Sequence, residues 1–265
     1  MKNALKAEFK KLLTVRSTYF ISLIFLALIC FLAFYVAGIK NAPTELTSPL
    51  DLMRARLFLA GNLTELAGVV SVPCGLVSLL LLTHEYRYGT IVYTLSANTS
   101  RSKVLLSKII AVFVFVFVFA LFATAIGLAL MRFGVAVSGH ALPHQDINYV
   151  TSLGKSIFYS EGFALAGLLF AALIRNQIGA LAALFIVPNP IEGILSLLLK
   201  KNAVYLPFTA LQQVIQPPVI NGVSAARDAT NVGVISAPRG ALVFLGYFVV
   251  AWAVAWYLFL HRDAT

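Results

Sequence analysis

Long apolar stretches dominate this sequence and limit what it can fold into. Several run for about 20 residues without Asp, Glu, Lys or Arg, the length that an α-helix needs to cross the hydrocarbon core of a bilayer. Of the 265 residues, 60% are hydrophobic and 11% are charged, whereas a soluble domain carries about 25% charged residues. This composition excludes disorder, collagen-like structure and an ordinary soluble enzyme, and it predicts an integral membrane protein.

Six of these stretches are predicted to span the membrane as helices. The third contains a Phe-Val alternation typical of a strand, but an isolated strand would leave its backbone unpaired in lipid. Pro188-Asn189-Pro190 predicts a kink or break within the fifth, and Arg175-Asn176-Gln177 predicts a tight turn before it. We therefore predict an all-α fold and a single transmembrane domain over residues 1–265. The predicted spans are Ser17–Ile39, Leu66–His84, Ile109–Met131, Ile157–Ile174, Ile178–Leu199 and Gly240–His261.

The basic residues predict the orientation of these spans. An even number of spans places both termini on one side, and Lys and Arg are denser in the segments on that side. Since cytoplasmic segments carry the excess of Lys and Arg, we predict a multi-pass protein of the cell membrane with cytoplasmic N- and C-termini.

Residues 1–16 are predicted to form an amphipathic helix in the membrane interface. Apolar side chains recur at helical spacing on one face, lysines flank that face, and Lys11 lies opposite it. A basic flank for the first span, without interfacial binding, is the alternative. The apolar residues are Leu5, Phe9, Leu12 and Leu13, and the flanking residues are Lys2, Lys6 and Lys10.

The loop over residues 84–108 is the most charged of the predicted cytoplasmic connections. Ile91, Val92 and Leu95 predict a short helix within it, Gly89-Thr90 predicts the end of the preceding helix, and Ser100 predicts a cap for the next one. A bare connector between helices needs only a few residues. We therefore expect this loop to bind a partner in the cytoplasm.

The run E-Y-R-Y-G-T-I-V-Y-T-L from Glu85, followed by S-R-S-K-V-L-L-S-K from Ser100, resembles the signature of permease subunits of type-2 ABC transporters. The six spans, the basic N-terminal helix, the polar turn after the fourth span and the Leu206-Pro207 segment before the sixth are similar to that family as well. The resemblance implies a permease of an exporter, with ATPase-coupling residues in this loop. Carried over by position, those residues are Glu85, Arg87, Gly89, Thr90, Arg101 and Lys108.

The resemblance also implies the partners. Two copies of a cytosolic ABC ATPase would bind ATP and Mg²⁺, and a second permease chain, the same or related, would complete the path through the lipid bilayer. This chain has no G-x-x-x-x-G-K-[ST] phosphate loop, so we predict no cofactor in it and no enzymatic activity of its own. We predict no nucleic-acid partner, and His140 and His144 lack the further ligands of a metal site.

Residues 200–239 are predicted to lie on the outer side, with short amphipathic helices that re-enter the membrane before the last span. Members of the resembled family form an external gate there, and a structured surface loop is the alternative. Polar side chains near membrane depth are candidates for the translocation path, because intramembrane charges are costly. These candidates are Asn62, Glu65, Glu161 and Glu192, although the carboxylates could also sit at the outer ends of their helices.

An alternative function of another class stays open. The chain could be a non-transport assembly or sensor module of the membrane, whose cytoplasmic loop binds a partner without coupling to an ATPase.

Overall fold

The computed structural model describes residues 2–40, 49–97, 100–139, 149–216 and 233–261. Within these ranges the chain is helical, with short turns and no strand. The helices are α1 (Lys2–Thr14), α2 (Arg16–Phe31), α3 (Pro49–Arg87), α4 (Ile91–Ala97), α5 (Arg101–Val137), α6 (Tyr149–Ile174), α7 (Gln177–Ile186), α8 (Glu192–Leu199), α9 (Pro207–Ile215) and α10 (Ala237–His261). Wider π-helical turns extend α2 over Leu32–Lys40 and join α7 to α8 over Val187–Ile191, and a 3₁₀ segment over Lys200–Tyr205 joins α8 to α9.

The six predicted spans are confirmed as helices long and apolar enough to cross a membrane. The fourth begins earlier than we predicted, at Val150 instead of Ile157. The six segments are Arg16–Lys40, Glu65–Arg87, Arg101–Val137, Val150–Ile174, Gln177–Tyr205 and Ala237–His261.

The predicted irregularity in the fifth span is confirmed. Pro188 and Pro190 have no N–H to donate, so the α-helical hydrogen-bond pattern cannot run through them. The helix widens into π-helical turns over Val187–Ile191 and resumes as α8.

The core forms where α3 and α6 pack against each other. Small residues let the two backbones approach, since a Cβ atom built on Gly167 would collide with the carbonyl of Gly75. The Ser78 hydroxyl crosses the same contact and donates to the carbonyl of Ala164 at 2.6 Å. A second close contact joins the first span to α5, where a Cβ on Gly134 would lie 2.5 Å from the Phe34 carbonyl.

Both described termini lie at one end of this bundle. Arg101, at the start of α5, donates to the carbonyl of Leu260 at 3.0 Å, near the end of α10. Arg87, at the end of α3, donates to the Gln177 side chain at 3.0 Å, at the start of α7. We call this end, which also carries α1 and α4, the basic end. The opposite end, where α6 begins and α9 lies, is the distal end.

Candidate functional site

Four charged side chains meet at the basic end, and we call them the charge cluster. It consists of Glu8, Lys11, Glu85 and Lys108. The Lys108 ammonium group donates to Glu8 Oε2 at 2.9 Å and to Glu85 Oε1 at 2.6 Å. The Lys11 ammonium group donates to Glu8 Oε1 at 2.8 Å and to Glu85 Oε1 at 2.5 Å.

The charge cluster is largely buried, and its charges balance. The Lys108 side chain is 0% exposed, and those of Glu8 and Glu85 are 2% and 6% exposed. A buried ion is tolerated only when oppositely charged and hydrogen-bonding groups replace the water that it loses. Two ammonium groups face two carboxylates and balance their charge, while Glu85 Oε2 makes no hydrogen bond within the described residues. Helix α1, the end of α3 and the start of α5 therefore depend on one another for neutrality.

Lys11 links the charge cluster to α4. Its ammonium group lies 3.4 Å from Thr94 Oγ1, and its side chain is 35% exposed. Burial works to lower the pKa of Lys11, but attraction to Glu85 and hydrogen bonds to Glu8 and Glu85 outweigh burial. The pKa of Lys11 is therefore raised above its ordinary value of 10.5.

The N-terminal helix also has a second, buried face that packs on the rest of the chain. Lys11, predicted opposite the apolar face, points to this buried face and reaches Glu8 and Glu85. Leu13, predicted on the apolar face, is 57% exposed, while Ala4 and Leu12 are buried. The spacing of the apolar side chains and lysines in residues 1–16 did not mark Glu8. Glu8 is, however, four residues from both Ala4 and Leu12, which places it on the buried face.

The six predicted ATPase-coupling residues all lie at the basic end, but they occupy different environments. Glu85 and Lys108 are buried in the charge cluster, whereas Arg87, Gly89 and Thr90 are exposed. Gly89 has φ +64°, a left-handed conformation that favours glycine and ends α3 as we predicted. Ser100 is the N-cap residue of α5, as we predicted, but its side chain makes no capping hydrogen bond.

The predicted short helix in this loop is confirmed as α4, and large side chains on it and in the turn before it are exposed. Tyr88, Val92 and Tyr93 are 66%, 51% and 76% exposed. A groove of about 310 Å³ separates α4 from α1 and is lined in part by Ala7 and Thr90. We call Tyr88, Val92 and Tyr93 the α4 face.

The charges around the α4 face have one sign. Within the described residues, the only carboxylates at the basic end are Glu8 and Glu85, and both are buried. The exposed cations that the structure describes at this end are Lys6, Lys10, Arg16, Arg87 and Lys103. The surface around the α4 face is therefore apolar and basic.

The polar turn between the fourth and fifth spans is also confirmed, and it contacts α3. Arg175 has φ 55° and places its guanidinium group 5.6 Å from the centre of the Tyr86 ring. The Asn176 side chain accepts hydrogen bonds from the N–H groups of Ile178 and Gly179 and caps α7. The turn thus fixes α6 and α7 beside the end of α3.

The predicted path residues do not meet at one place. Glu65 is exposed and lines a small cavity of about 90 Å³ beside Val69 and Met131. Glu192 is 4% exposed and accepts hydrogen bonds at the start of α9, while Glu161 is buried in α6. The side chain of Asn62, like His140 and His144, lies outside the described residues.

Glu192 acts as a side-chain cap supplied from another helix. Its carboxylate accepts from Phe208 N–H at 2.8 Å, from Thr209 N–H at 2.6 Å and from the Thr209 hydroxyl at 2.8 Å. These N–H groups belong to the first turn of α9, which has no partners for them within its own helix. The carboxylate therefore fixes α9 to α8.

A family match covers most of this arrangement. Residues 56–265 match the model of DUF2705, a family described as protein of unknown function. The matched part includes α4, Glu85 and Lys108, while Glu8 and Lys11 precede it. The comparison with curated proteins gave no match. Because the family model matches well over half of the chain, the protein belongs to the DUF2705 family.

Proposed function

We propose that this chain is the membrane permease subunit of an ATP-driven exporter of the ABC type, and that a separate cytosolic ATPase binds it at the basic end. The observation that carries the proposal is that Glu85 and Lys108, at the two ends of the loop that contains α4, are joined in the charge cluster. Glu85 lies just before α4 in the chain and Lys108 lies in the first two turns of α5 after it.

This placement suits the transmission of movement. The ion pairs between Glu85, Lys108 and the residues of α1 are shielded from water, so they resist separation more than exposed pairs do. A partner that pushes on α4 would then move α1, the end of α3 and the start of α5 together. Residues 84–108 would act as the coupling loop.

The α4 face defines the chemistry of the partner surface. Exposed Tyr side chains are frequent anchors of protein interfaces, because they combine a large apolar area with a polar group. Tyr88, Val92 and Tyr93 would fill an apolar pocket of the ATPase. The exposed cations around them would face acidic residues on the rim of that pocket, which increases the association rate.

The rest of the assembly follows from the same proposal. A second permease chain would pack against helices whose apolar side chains are largely exposed in one chain, such as α10 and α7. The α9 helix, which Glu192 fixes, would form the outer gate and re-enter the membrane from the external side. The basic end would face the cytoplasm, with ATP and Mg²⁺ bound by two ATPase chains.

Copurification tests the proposal. The tagged chain, expressed in its native membranes, should copurify with a subunit that carries the phosphate loop of ABC ATPases. Val92→Asp places a charge on the α4 face and should abolish that association. Val150→Asp is the matched control, since Val150 is 79% exposed and lies in the first turn of α6 at the distal end.

Two results would reject the exporter. One is the absence of any ATPase subunit from the purified protein. The other is equal loss or equal retention of the ATPase in the two variants. Copurification of a different protein through α4, without an ATPase, would favour the assembly or sensor module instead.

A further inference from the structure

The small cavity beside Glu65 lies between three helices, and we call it the Glu65 cavity. Its walls come from the π-helical end of the first span, from α3 and from α5 at Met131. Glu65 is the first residue of the second span, which ends with Arg87 at the basic end. The Glu65 cavity therefore lies at the distal end of the membrane-spanning helices.

Small residues and wide helical turns leave this space open. Ala33 and Ala37 contribute only methyl groups, and they lie in the π-helical turns of Leu32–Lys40. Turns of this kind are frequent at functional sites. The first span and α5 already touch beside the cavity, since a Cβ on Gly38 would lie 2.8 Å from the Cα of Gly134. These two helices therefore cannot move together to close it.

The lining of the Glu65 cavity combines an apolar interior with one charged group. Apart from Glu65, all the described side chains that line it are apolar. Ala33, Ala37, Leu66 and Met131 are buried, whereas Glu65 is exposed and so lies at the opening. A ligand that matches this lining has an apolar part for the interior and a polar group for the opening.

The Glu65 carboxylate is available to such a ligand. It makes no side-chain hydrogen bond or ion pair within the described part of the chain. Lys40, at the end of the first span, and Arg132, which follows Met131 on α5, form no ion pair with it. Because a carboxylate accepts its strongest hydrogen bonds from cationic donors, the matching polar group is a cation that carries N–H groups.

The size of the cavity selects a narrow apolar group. Its volume is about 90 Å³, whereas benzene occupies a cavity of about 150 Å³. An aromatic ring is therefore too large for the interior. A single alkyl chain is narrower than a ring, and a few of its methylene groups fit the space.

The position of Glu65 determines where the ligand carries its charge. Glu65 is adjacent to Leu66 and one helical turn from Val69, and both of these residues line the cavity. The cationic group must therefore be attached directly to the alkyl chain. Phosphatidylethanolamine does not match, because a phosphate and a glycerol separate its ammonium group from its acyl chains. Its phosphate would also bring a second negative charge toward Glu65.

We propose that the Glu65 cavity is a binding site for a single-chain primary alkylammonium ion. The ammonium group donates hydrogen bonds to the Glu65 carboxylate at the opening, where water satisfies its remaining N–H groups. The first methylene groups of the chain fill the interior against Ala33, Ala37 and Met131. The proposal does not depend on the exporter, and it holds equally for a protein that binds no ATPase.

Photolabelling of the full chain in phosphatidylcholine nanodiscs tests the site. The probe is a primary alkylamine with a diazirine in its chain, and mass spectrometry identifies the labelled peptides. Labelling should saturate and should map to the peptides that contain Val36 and Met131, which line the cavity. An alcohol with the same chain and diazirine lacks the positive charge and should need a concentration at least about tenfold higher.

Two pairs of variants separate the charge from the space. Glu65→Gln should raise the half-saturating concentration of the amine about tenfold or more, and Glu65→Asp, which keeps the charge, should raise it less. Val36→Phe fills the cavity and should abolish the labelling. Val118→Phe is the matched control and should label like the wild type, because Val118 is 46% exposed and lies about 20 Å along α5 from Met131.

Three results would overturn the proposal. The first is labelling of the same peptides by the alcohol at the same concentration as the amine. The second is unchanged labelling in Glu65→Gln or in Val36→Phe. The third is suppression of the labelling when the nanodiscs contain phosphatidylethanolamine, since a bilayer lipid would then be the occupant.

Discussion

Lys108 on α5 and Glu8 on α1 form an ion pair of 2.9 Å across 100 positions of the chain. Both side chains are almost fully withdrawn from water, at 0% and 2% exposure. Lys108 also binds Glu85 at 2.6 Å, so one ammonium group holds carboxylates from two other helices. Removing any member of the charge cluster should therefore affect α1, α3 and α5 together.

Lys108→Met should destabilise the protein strongly. It leaves Glu8 and Glu85 facing only Lys11, and breaking a buried ion pair by removing one partner costs about 3–5 kcal/mol. Thermal unfolding of the purified protein measures this loss. Lys103→Met is the matched control, since Lys103 lies on the same helix and is exposed, and it should leave the unfolding temperature unchanged.

A second substitution distinguishes charge balance from packing. Glu8→Gln added to Lys108→Met restores neutrality and should recover part of the lost stability, so that the two changes are not additive. If the double variant loses as much stability as the two single variants together, the charge cluster does not act as a unit.

The stability that Lys11 contributes should fall at alkaline pH. The pKa of Lys11 is raised in the folded protein above its ordinary value of 10.5, which the unfolded chain retains. The contribution is therefore complete below pH 10.5 and is lost as the pH rises through the higher folded pKa. Unfolding temperatures should be compared about one pH unit below and about one unit above that value. The unfolding temperature of the Lys11→Met variant should fall less than that of the wild type over this interval. An identical fall would contradict the role of Lys11.

Gly134→Ala should destabilise the contact between the first span and α5. The new Cβ would lie 2.5 Å from the Phe34 carbonyl, which is backbone and cannot rotate away. Overpacking of this kind costs about 1–3 kcal/mol. Gly246→Ala, in the middle of α10, is the control, because a Cβ there meets nothing within 4 Å. A loss of stability in the control as large as that in Gly134→Ala would argue against the packing explanation.

Glu192→Ala should release the start of α9. It removes the acceptor for the N–H groups of Phe208 and Thr209 and for the Thr209 hydroxyl. Leaving a buried donor unsatisfied costs about 1–3 kcal/mol. Hydrogen exchange followed by mass spectrometry should show faster exchange in peptides covering Pro207–Ile215 and unchanged exchange in the α3–α6 core. Thr209→Val removes only the hydroxyl bond and should have the smaller effect, so a larger effect of Thr209→Val would refute the capping role.

The membrane-spanning helices could be predicted from the sequence because each carries its own signal, an apolar run of sufficient length. The start of α6 could not, since the apolar run that predicts the fourth span begins only at Ile157, after Lys155. A lysine near a helix end can extend its charged group toward water while its stem stays apolar, so the helix continues past it to Tyr149.

The contacts of the candidate site were harder to predict than its residues. The sequence placed Glu85 and Lys108 at the ends of one loop, but periodicity assigns a side chain to a face of its own helix and does not identify the helix opposite. The pairing of Glu8 with Lys108 is such a contact, and so is the cap that Glu192 supplies to α9.

The most direct test of the central claim is a cross-link from the α4 face in native membranes. A photoreactive phenylalanine analogue should replace Tyr93, which is 76% exposed, and in a parallel sample Val150 at the distal end. We expect position 93 to cross-link to a polypeptide with the G-x-x-x-x-G-K-[ST] phosphate loop and position 150 not to do so. Cross-linking of position 93 only to lipid, or to a protein without that motif, would contradict it.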